Sequence, residues 1–164
     1  VARRLHAPAS DGESIPITVL MRKDTPLDGS APLMLYGYGA YGIAMEPNFS
    51  IRNINLVDRG WIWATAHIRG GSDKGWGWVL ARRKDRKPNT FTHFIAAAAH
   101  LVSQGYGTPG RIAACGKSRR RFRILSTGVD VVAKDRSSFD GVRPSKDASA
   151  PFALAAFVSR PQSA

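Results

Sequence analysis

Two long apolar runs constrain the fold more than any other feature of this sequence. The runs APLMLYGYG at residues 31–39 and GWIWATAHIRGG at residues 60–71 are rich in aromatic, branched and small residues and end in glycine. Strands that stay apolar at successive positions are typical of a parallel sheet covered on both faces. A third run, IPITVLMRKD at residues 15–24, has a period of two and predicts another strand.

One helix is predicted between Asn89 and Gly105. Asn89 or Thr90 is the predicted N-cap, and Gly105 is the predicted C-terminal stop. The apolar residues between them share one helical stripe, which consists of Phe94, Ile95, Ala98, Leu101 and Val102. The run GRIAACGKS at residues 110–118 then predicts a short strand and a sharp turn. This order of elements predicts an α/β fold with a right-handed crossover onto a parallel strand.

The charge balance raises the alternative of a basic nucleic-acid-binding protein. The chain has 24 Lys and Arg against 12 Asp and Glu, and cationic residues gain affinity for phosphates by releasing counterions. The basic residues stand in scattered clusters such as ARRKDRK and KSRRRFR, however, and no nucleic-acid-binding motif surrounds them. We therefore favour a protein that does not bind nucleic acid.

Targeting and cofactor signals are weak in this sequence. No apolar run approaches the roughly 20 residues of a membrane-spanning helix, and the start VARRLHAPASDGESIP lacks the apolar core of a signal peptide. We expect a cytoplasmic protein without a membrane partner. With Cys115 as its single cysteine, the chain can form neither an internal disulfide nor a thiolate metal cluster. We expect no cofactor.

Six blocks of sequence in register carry a family resemblance. They are LMLYGYGAYG (33–42), PNFS (47–50), LVDRGWIWATAHIRGG (56–71), KGWGW (74–78), KPNTFTHFIAAAAHLVSQGY (87–106) and GRIAACGKS (110–118). Over roughly residues 3–118 the chain resembles the prolyl oligopeptidase family of serine peptidases, most closely its oligopeptidase B (protease II) branch. Consecutive blocks are far more specific than a lone motif.

The resemblance implies a partial α/β-hydrolase fold, that is, a mostly parallel sheet with flanking helices that is truncated after the nucleophile turn. In the family, a β-propeller caps the catalytic domain and limits substrates to short peptides. Activity would then require the propeller and the C-terminal half of the catalytic domain. The implied partners are oligopeptide substrates, cleaved after Lys or Arg by analogy with the oligopeptidase B branch.

The resemblance assigns the nucleophile to Ser118. In α/β-hydrolases this serine lies in the turn G-x-S-x-G, and Gly116, Lys117 and Ser118 fill its first three positions. Three arginines that begin at Arg119 then stand where the family has small residues and glycine. The resemblance also assigns the oxyanion hole to the Tyr38 hydroxyl and the backbone amide of Arg119.

The motif GKS also allows a phosphate-binding loop. That loop requires glycine five positions before Gly116, where the chain has Arg111. The intervening residues IAAC are apolar and typical of a strand, whereas the loop is rich in glycine. The nucleophile turn is therefore the favoured interpretation.

The general base of the peptidase is not evident. The four histidines, His6, His67, His93 and His100, all precede Ser118, whereas the family order is serine, acid, histidine. We interpret all four as structural or surface residues. Because a serine hydroxyl without a base is a poor nucleophile, we expect the isolated chain to be inactive. The alternative function is a non-catalytic remnant or interaction fragment.

The resemblance ends at Ser118, and residues 119–164 form a separate tail. The tail contains no Trp and no Tyr, and its one periodic run is FALAAFV. We interpret it as the product of a reading-frame change or as a disordered extension. Arginine codons of the type CGG become glycine codons when they are read one base over, so a shifted S-x-G-G would give SRRRF. Translation of the other frames downstream of Ser118 tests this hypothesis.

Overall fold

The computed structural model describes residues 1–46, 48–81, 88–117, 123–126, 129–134 and 152–159. The strands are β1 (Ala2–Pro8), β2 (Ser14–Leu20), β3 (Leu33–Gly37), β4 (Ile62–Ala66), β5 (Ile112–Lys117), β6 (Arg123–Ser126), β7 (Val129–Lys134) and β8 (Phe152–Ser159). The helices are α1 (Ile51–Asp58), α2 (Trp76–Leu80) and α3 (Pro88–Ser103). In this part of the chain, no helix is both long enough and apolar enough to cross a bilayer.

The strands form one mixed sheet in the order β1-β2-β4-β3-β5-β8-β7-β6. The inner strand β3 is parallel to both of its neighbours, β4 and β5, and β8 is parallel to β5 and β7. The pairs β1–β2, β2–β4 and β6–β7 are antiparallel. A parallel centre needs crossover connections, which α1 provides between β3 and β4 and α3 provides between β4 and β5. The predicted α/β class is confirmed as a mixed sheet with helical connections.

The sheet continues beyond the predicted nucleophile turn. The periodic run of the tail forms β8, which pairs with β5 from Ile112↔Leu154 to Lys117↔Ser159. The prediction of a sheet truncated after this turn therefore differs from the structure. The physical reason is that β5 offers a second edge of unpaired backbone groups, with which another apolar strand can pair. The origin of residues 119–164 in a reading-frame change stays a prediction, and most of them lie outside the described residues.

The core lies between the sheet and helix α3. Side chains on β2, β3 and β4 alternate between buried and half-buried positions. The fully inaccessible apolar residues on these three strands are Ile15, Ile17, Val19, Leu33, Leu35, Ile62, Ala64 and Ala66. Helix α3 covers them with its predicted stripe, in which Phe94, Ala98 and Leu101 are buried and Ile95 and Val102 are partly buried.

The start of α3 corrects one prediction. The helix begins at Pro88, so Asn89 and Thr90 lie inside its first turn and neither is the N-cap. Proline is favoured at this position because the first helical amides have no partner within the helix. The two side chains bond to other segments instead, since Asn89 Nδ2 donates to the carbonyl of Ala81 and Thr90 Oγ1 donates to that of Arg69.

The contact of β3 with α3 generates a prediction. A Cβ on Gly37 would lie 2.6 Å from two ring atoms of Phe94, so we expect Gly37→Ala to destabilise the fold by about 1–3 kcal/mol. Thermal unfolding followed by circular dichroism measures this. Gly77→Ala in α2 is the matched control, because its Cβ would meet no atom within 4 Å. A Gly37→Ala variant that melts together with the wild type would contradict the packing of β3 against α3.

Candidate active site

Tyr38 and Lys117, which precedes Ser118, lie side by side at the carboxyl edge of the sheet. Gly37 is opposite Gly116 in the parallel pair of β3 and β5. Tyr38, the next residue after β3, is therefore beside Lys117, the last residue of β5. Ser118 and Arg119 lie outside the described residues, so their predicted roles stay predictions. Gly116 and Lys117 belong to a strand, which argues against a phosphate-binding loop.

The backbone around Tyr38 is closely packed. A Cβ on Gly116 would lie 3.0 Å from the carbonyl oxygen of Gly37. A Cβ on Gly39 would lie 2.6 Å from Thr90 Cγ2 and would also clash with the carbonyl oxygen of Arg69. Glycine is favoured at such positions because a Cβ would press against the neighbouring atoms. The turn that carries Tyr38 is therefore held between β5, α3 and the segment after β4.

The environment of this edge is partly apolar. Tyr36 lies two residues before Tyr38, and its ring stacks on that of Trp63 at a centroid distance of 6.0 Å. Burial raises the pKa of the Tyr36 hydroxyl, and the neighbouring Cys115 and Tyr38 raise it further. The Tyr36 hydroxyl therefore stays protonated at neutral pH.

A polar cluster that the sequence did not predict lies one strand away from Tyr38. Gly37 is opposite Ala66 in the pair of β3 and β4, so His67 is the neighbour of Tyr38 at the same edge. The Nδ1 atom of His67 lies 2.7 Å from Asp73 Oδ1, and its Nε2 atom lies 2.8 Å from Thr18 Oγ1. Only 5% of the His67 side chain and 7% of the Asp73 side chain are exposed. Both ring nitrogens of His67 therefore have partners in the chain.

Asp73 also orders the loop after Tyr38. Its Oδ1 atom accepts a hydrogen bond of 2.9 Å from the backbone amide of Met45. Burial by itself raises the pKa of Asp73, but the hydrogen bonds from His67 and from the Met45 amide outweigh it, so the net pKa lies below the ordinary 3.8. The sequence signal for this cluster was an acid six residues after a histidine at a strand end, and the register of β2 with β4 adds Thr18.

A second ionic network surrounds the other buried histidine. His93 is fully buried in α3, and its Nε2 atom lies 2.9 Å from Asp11 Oδ2. The same carboxylate oxygen forms an ion pair with Arg69 Nη1 at 2.8 Å, and Arg69 Nη2 lies 3.0 Å from Glu13 Oε1. The Arg69 guanidinium also lies 5.2 Å from the centroid of the Trp78 ring. This network ties the turn between β1 and β2 to α2 and α3.

The carboxylates of this network are held in their ionised form. Burial by itself raises the pKa of Asp11, and the hydrogen bond from His93 is the strongest of the effects that outweigh it and lower the net pKa. The hydrogen bond from Lys74 lowers the pKa of Glu13. The two remaining histidines lie apart from both clusters, since His6 is exposed on β1 and His100 is half-buried in the last turn of α3.

The lowered pKa of Asp73 predicts a pH dependence of stability. Because its pKa in the folded state is below 3.8, its contribution is complete at neutral pH and is lost as the pH falls through the folded-state value. Asp73→Asn should therefore lower the stability by about 1–3 kcal/mol at pH 7 and flatten the loss of melting temperature between about pH 5 and pH 2.

Asp24→Asn is the matched control for this experiment. Asp24 pairs with Arg22 on the surface, where 68% of its side chain is exposed, and such pairs contribute little to stability. The melting temperatures of the wild type and of both variants, measured across this pH range, test the prediction. An Asp73→Asn variant with the acid profile of the wild type would contradict the stabilising role of the ionised carboxylate.

Comparison with known proteins identifies the family of this chain. The sequence profile of the prolyl oligopeptidase family matches residues 47–119. Dipeptidyl aminopeptidase BI of Pseudoxanthomonas mexicana is 49% identical over 119 residues, which are 72% of this chain and 16% of that protein. Protease 2 of Moraxella lacunata is 42% identical over 115 residues, which are 70% of this chain and 17% of that protein.

A solved structure shows the same relationship in three dimensions. Oligopeptidase B from Leishmania major superimposes with a TM-score of 0.69 at 44% identity, over 72% of this chain and 16% of that one. The chain thus spans about a sixth of the length of the relatives that it matches. Sequence and structure agree that the matching part of this chain belongs to the prolyl oligopeptidase family of serine peptidases.

Proposed function

We propose that residues 1–118 are the first part of the catalytic domain of a serine-type oligopeptidase and that Ser118 is its nucleophile position. The observation that supports this most directly is the register Gly37↔Gly116. It brings Tyr38 next to the end of the strand whose chain continues into Ser118. A nucleophile and an oxyanion donor have to approach the same carbonyl group, so they need neighbouring positions at one edge of the sheet.

The proposed reaction is acyl transfer to water. The Ser118 Oγ atom attacks the carbonyl carbon of the scissile peptide bond, and the negative charge that develops on the carbonyl oxygen is stabilised by the Tyr38 hydroxyl and the Arg119 amide. Collapse of this intermediate breaks the C–N bond, releases the amine with the serine proton and leaves an ester on Ser118. Water then hydrolyses the ester.

The isolated 164-residue chain is proposed to lack this activity. The reaction needs a base that takes the serine proton, and the chain as given has no histidine after Ser118. Within the described part, His67 is engaged with Asp73 and Thr18, and His93 is buried against Asp11. A propeller and the C-terminal half of the catalytic domain would have to complete the site.

The proposed location is the cytoplasm, and the proposed specificity is cleavage after Lys or Arg. This specificity is supported by the resemblance to the oligopeptidase B branch and by the similarity to proteins named Protease 2 and oligopeptidase B. The relative named a dipeptidyl aminopeptidase supplies the alternative, which is the removal of dipeptides from a free N-terminus.

A non-catalytic interaction fragment is the second candidate function. The observation that favours it is a set of exposed large apolar side chains in the segments from Tyr38 to α1 and in α2. The most exposed members of the set are Tyr41, Ile43, Phe49, Ile51 and Trp76. Exposed apolar surface of this kind is typical of interaction sites.

Covalent labelling of Ser118 distinguishes the two functions. We expect a fluorophosphonate probe to label the isolated chain no more than its Ser118→Ala variant, because no base activates the serine. A chimera that joins residues 3–118 to the remainder of Protease 2 should be labelled, and Ser118→Ala should abolish this labelling. Labelling of the isolated chain at Ser118 would show that it is active, whereas an unlabelled but folded chimera would contradict the nucleophile assignment.

The same chimera tests the role of Tyr38. Tyr38→Phe removes the proposed oxyanion donor and should lower kcat by about 100-fold with little change in KM. Tyr41→Phe is the matched control, because 76% of Tyr41 is exposed, and it should leave kcat unchanged. Steady-state hydrolysis of a Lys- or Arg-containing reporter peptide measures both. Equal kcat values for the two variants would exclude Tyr38 from the oxyanion hole.

A further inference from the structure

The turn that carries Tyr38 packs against one backbone carbonyl. Gly39 follows Tyr38, and a Cβ on Gly39 would clash with the carbonyl oxygen of Arg69. The turn contacts the same segment again three residues further along, where the Gly42 amide donates to the carbonyl of Gly70 at 3.0 Å. Protein interiors that are packed this closely transmit small displacements. A movement of the Arg69 carbonyl would therefore displace Gly39 and, with it, Tyr38.

Thr90 of helix α3 holds that carbonyl in place. Its Oγ1 atom donates a hydrogen bond of 2.8 Å to the carbonyl oxygen of Arg69. Its methyl carbon Cγ2 packs against Gly39, since it would lie 2.6 Å from a Cβ on that glycine. Only 5% of Thr90 is exposed, so solvent is poorly placed to replace this hydrogen bond. One side chain thus bonds to the Arg69 carbonyl and contacts the residue after Tyr38.

The side chain of Arg69 is anchored independently of Thr90. Its guanidinium pairs with Asp11 at 2.8 Å and with Glu13 at 3.0 Å. It also lies 5.2 Å from the centroid of the Trp78 ring, and only 12% of the Arg69 side chain is exposed. These contacts remain when the Thr90 hydroxyl is removed. We therefore expect the loss of this hydroxyl to move the Arg69 carbonyl while the fold persists.

A methyl group cannot take the place of the Thr90 hydroxyl without a displacement. Carbon atoms approach a carbonyl oxygen to about 3.3–3.6 Å, whereas Thr90 Oγ1 lies 2.8 Å from the Arg69 oxygen. In Thr90→Val, which keeps the shape of the side chain, the two atoms therefore have to separate by about 0.5 Å. Both residues touch Gly39, so the Tyr38 turn has to adjust. A shift of about 0.5 Å is the limit that a catalytic group tolerates.

We propose that Thr90 is a positioning residue, whose hydroxyl places Tyr38 for catalysis through the Arg69 carbonyl and the Gly39 backbone. This assignment rests on the proposed function, in which the Tyr38 hydroxyl stabilises the developing oxyanion. Thr90 touches neither the substrate nor the reacting atoms, so it acts on the reaction only through Tyr38. The effect of Thr90 on kcat therefore has to disappear when the Tyr38 hydroxyl is absent, whereas a merely structural effect would persist.

Steady-state kinetics of the chimera with Protease 2 test this inference. Thr90→Val should lower kcat about tenfold with little change in KM, because a displaced donor stabilises the transition state less well. Thr90→Ser keeps the hydroxyl and should retain kcat within about twofold. Thr92→Val is the matched control on the same helix, since the Thr92 hydroxyl also donates to a carbonyl, that of Asn89, but is exposed. It should leave kcat unchanged.

A double-mutant cycle separates positioning from a general structural role. In the Tyr38→Phe background, Thr90→Val should change kcat by less than about twofold, because the group that Thr90 places is already absent. A further tenfold loss in the double variant would overturn the inference. So would an unchanged kcat in Thr90→Val, or an equal loss in Thr90→Ser. Thr90→Ala removes the same hydroxyl without the extra carbon and replaces Thr90→Val in the cycle if circular dichroism shows that the valine variant is unfolded.

NMR of the full 164-residue chain reports the placement of the turn without any need for catalysis. Thr90→Val should shift the amide signals of Tyr38 and Gly39, and Thr92→Val should leave both unchanged. Unchanged signals in folded Thr90→Val would overturn the placement of the turn by Thr90. If Tyr38→Phe leaves kcat of the chimera unchanged, the oxyanion assignment in the proposed function fails instead, and these amide signals alone decide whether Thr90 places the turn.

Discussion

The parallel pairing of β3 with both β4 and β5 is the interaction on which the rest of the structure depends. Leu35 of β3 lies between Ala64 of β4 and Ala114 of β5, and at most 1% of any of the three is exposed. Parallel neighbours cannot be joined by a tight turn, so the chain has to cross over through helices. Helix α3 packs on the core through its apolar stripe, and at Gly37 the approach is so close that no side chain would fit.

This pairing also decides which residues meet at the carboxyl edge. The ends of β4, β3 and β5 lie in that order, so His67, Tyr38 and Lys117 form a row although they come from three distant segments. In open α/β sheets, ligands commonly bind outside the carboxyl ends of the strands. The strand order therefore brings the residues of the proposed peptidase site and the pair of His67 and Asp73 to the same edge.

Two polar networks, each with a buried histidine, hold different segments around this edge. The network of Asp11, Arg69 and His93 fastens the β1–β2 turn to α3, and the carbonyl of Arg69 in turn bonds to Thr90 beside the Tyr38 turn. The pair of His67 and Asp73 holds the loop at Met45 instead. Each network leaves at least one buried nitrogen or oxygen without a partner among the described residues. In the second network this atom is Asp73 Oδ2, and Asp73 is one of the residues that line a small cavity.

The sequence by itself determined the α/β class, the apolar strands, the body of α3 and the family. These features depend on local periodicity and on motifs in register, which are readable without the fold. The site was predictable only as positions, through Tyr38, Ser118 and Arg119. Only the tertiary structure decided that α3 begins at Pro88, and that FALAAFV pairs with β5. It also decided the partners of His67, because Thr18 precedes that residue by 49 positions and is brought to it by strand register, which no local pattern encodes.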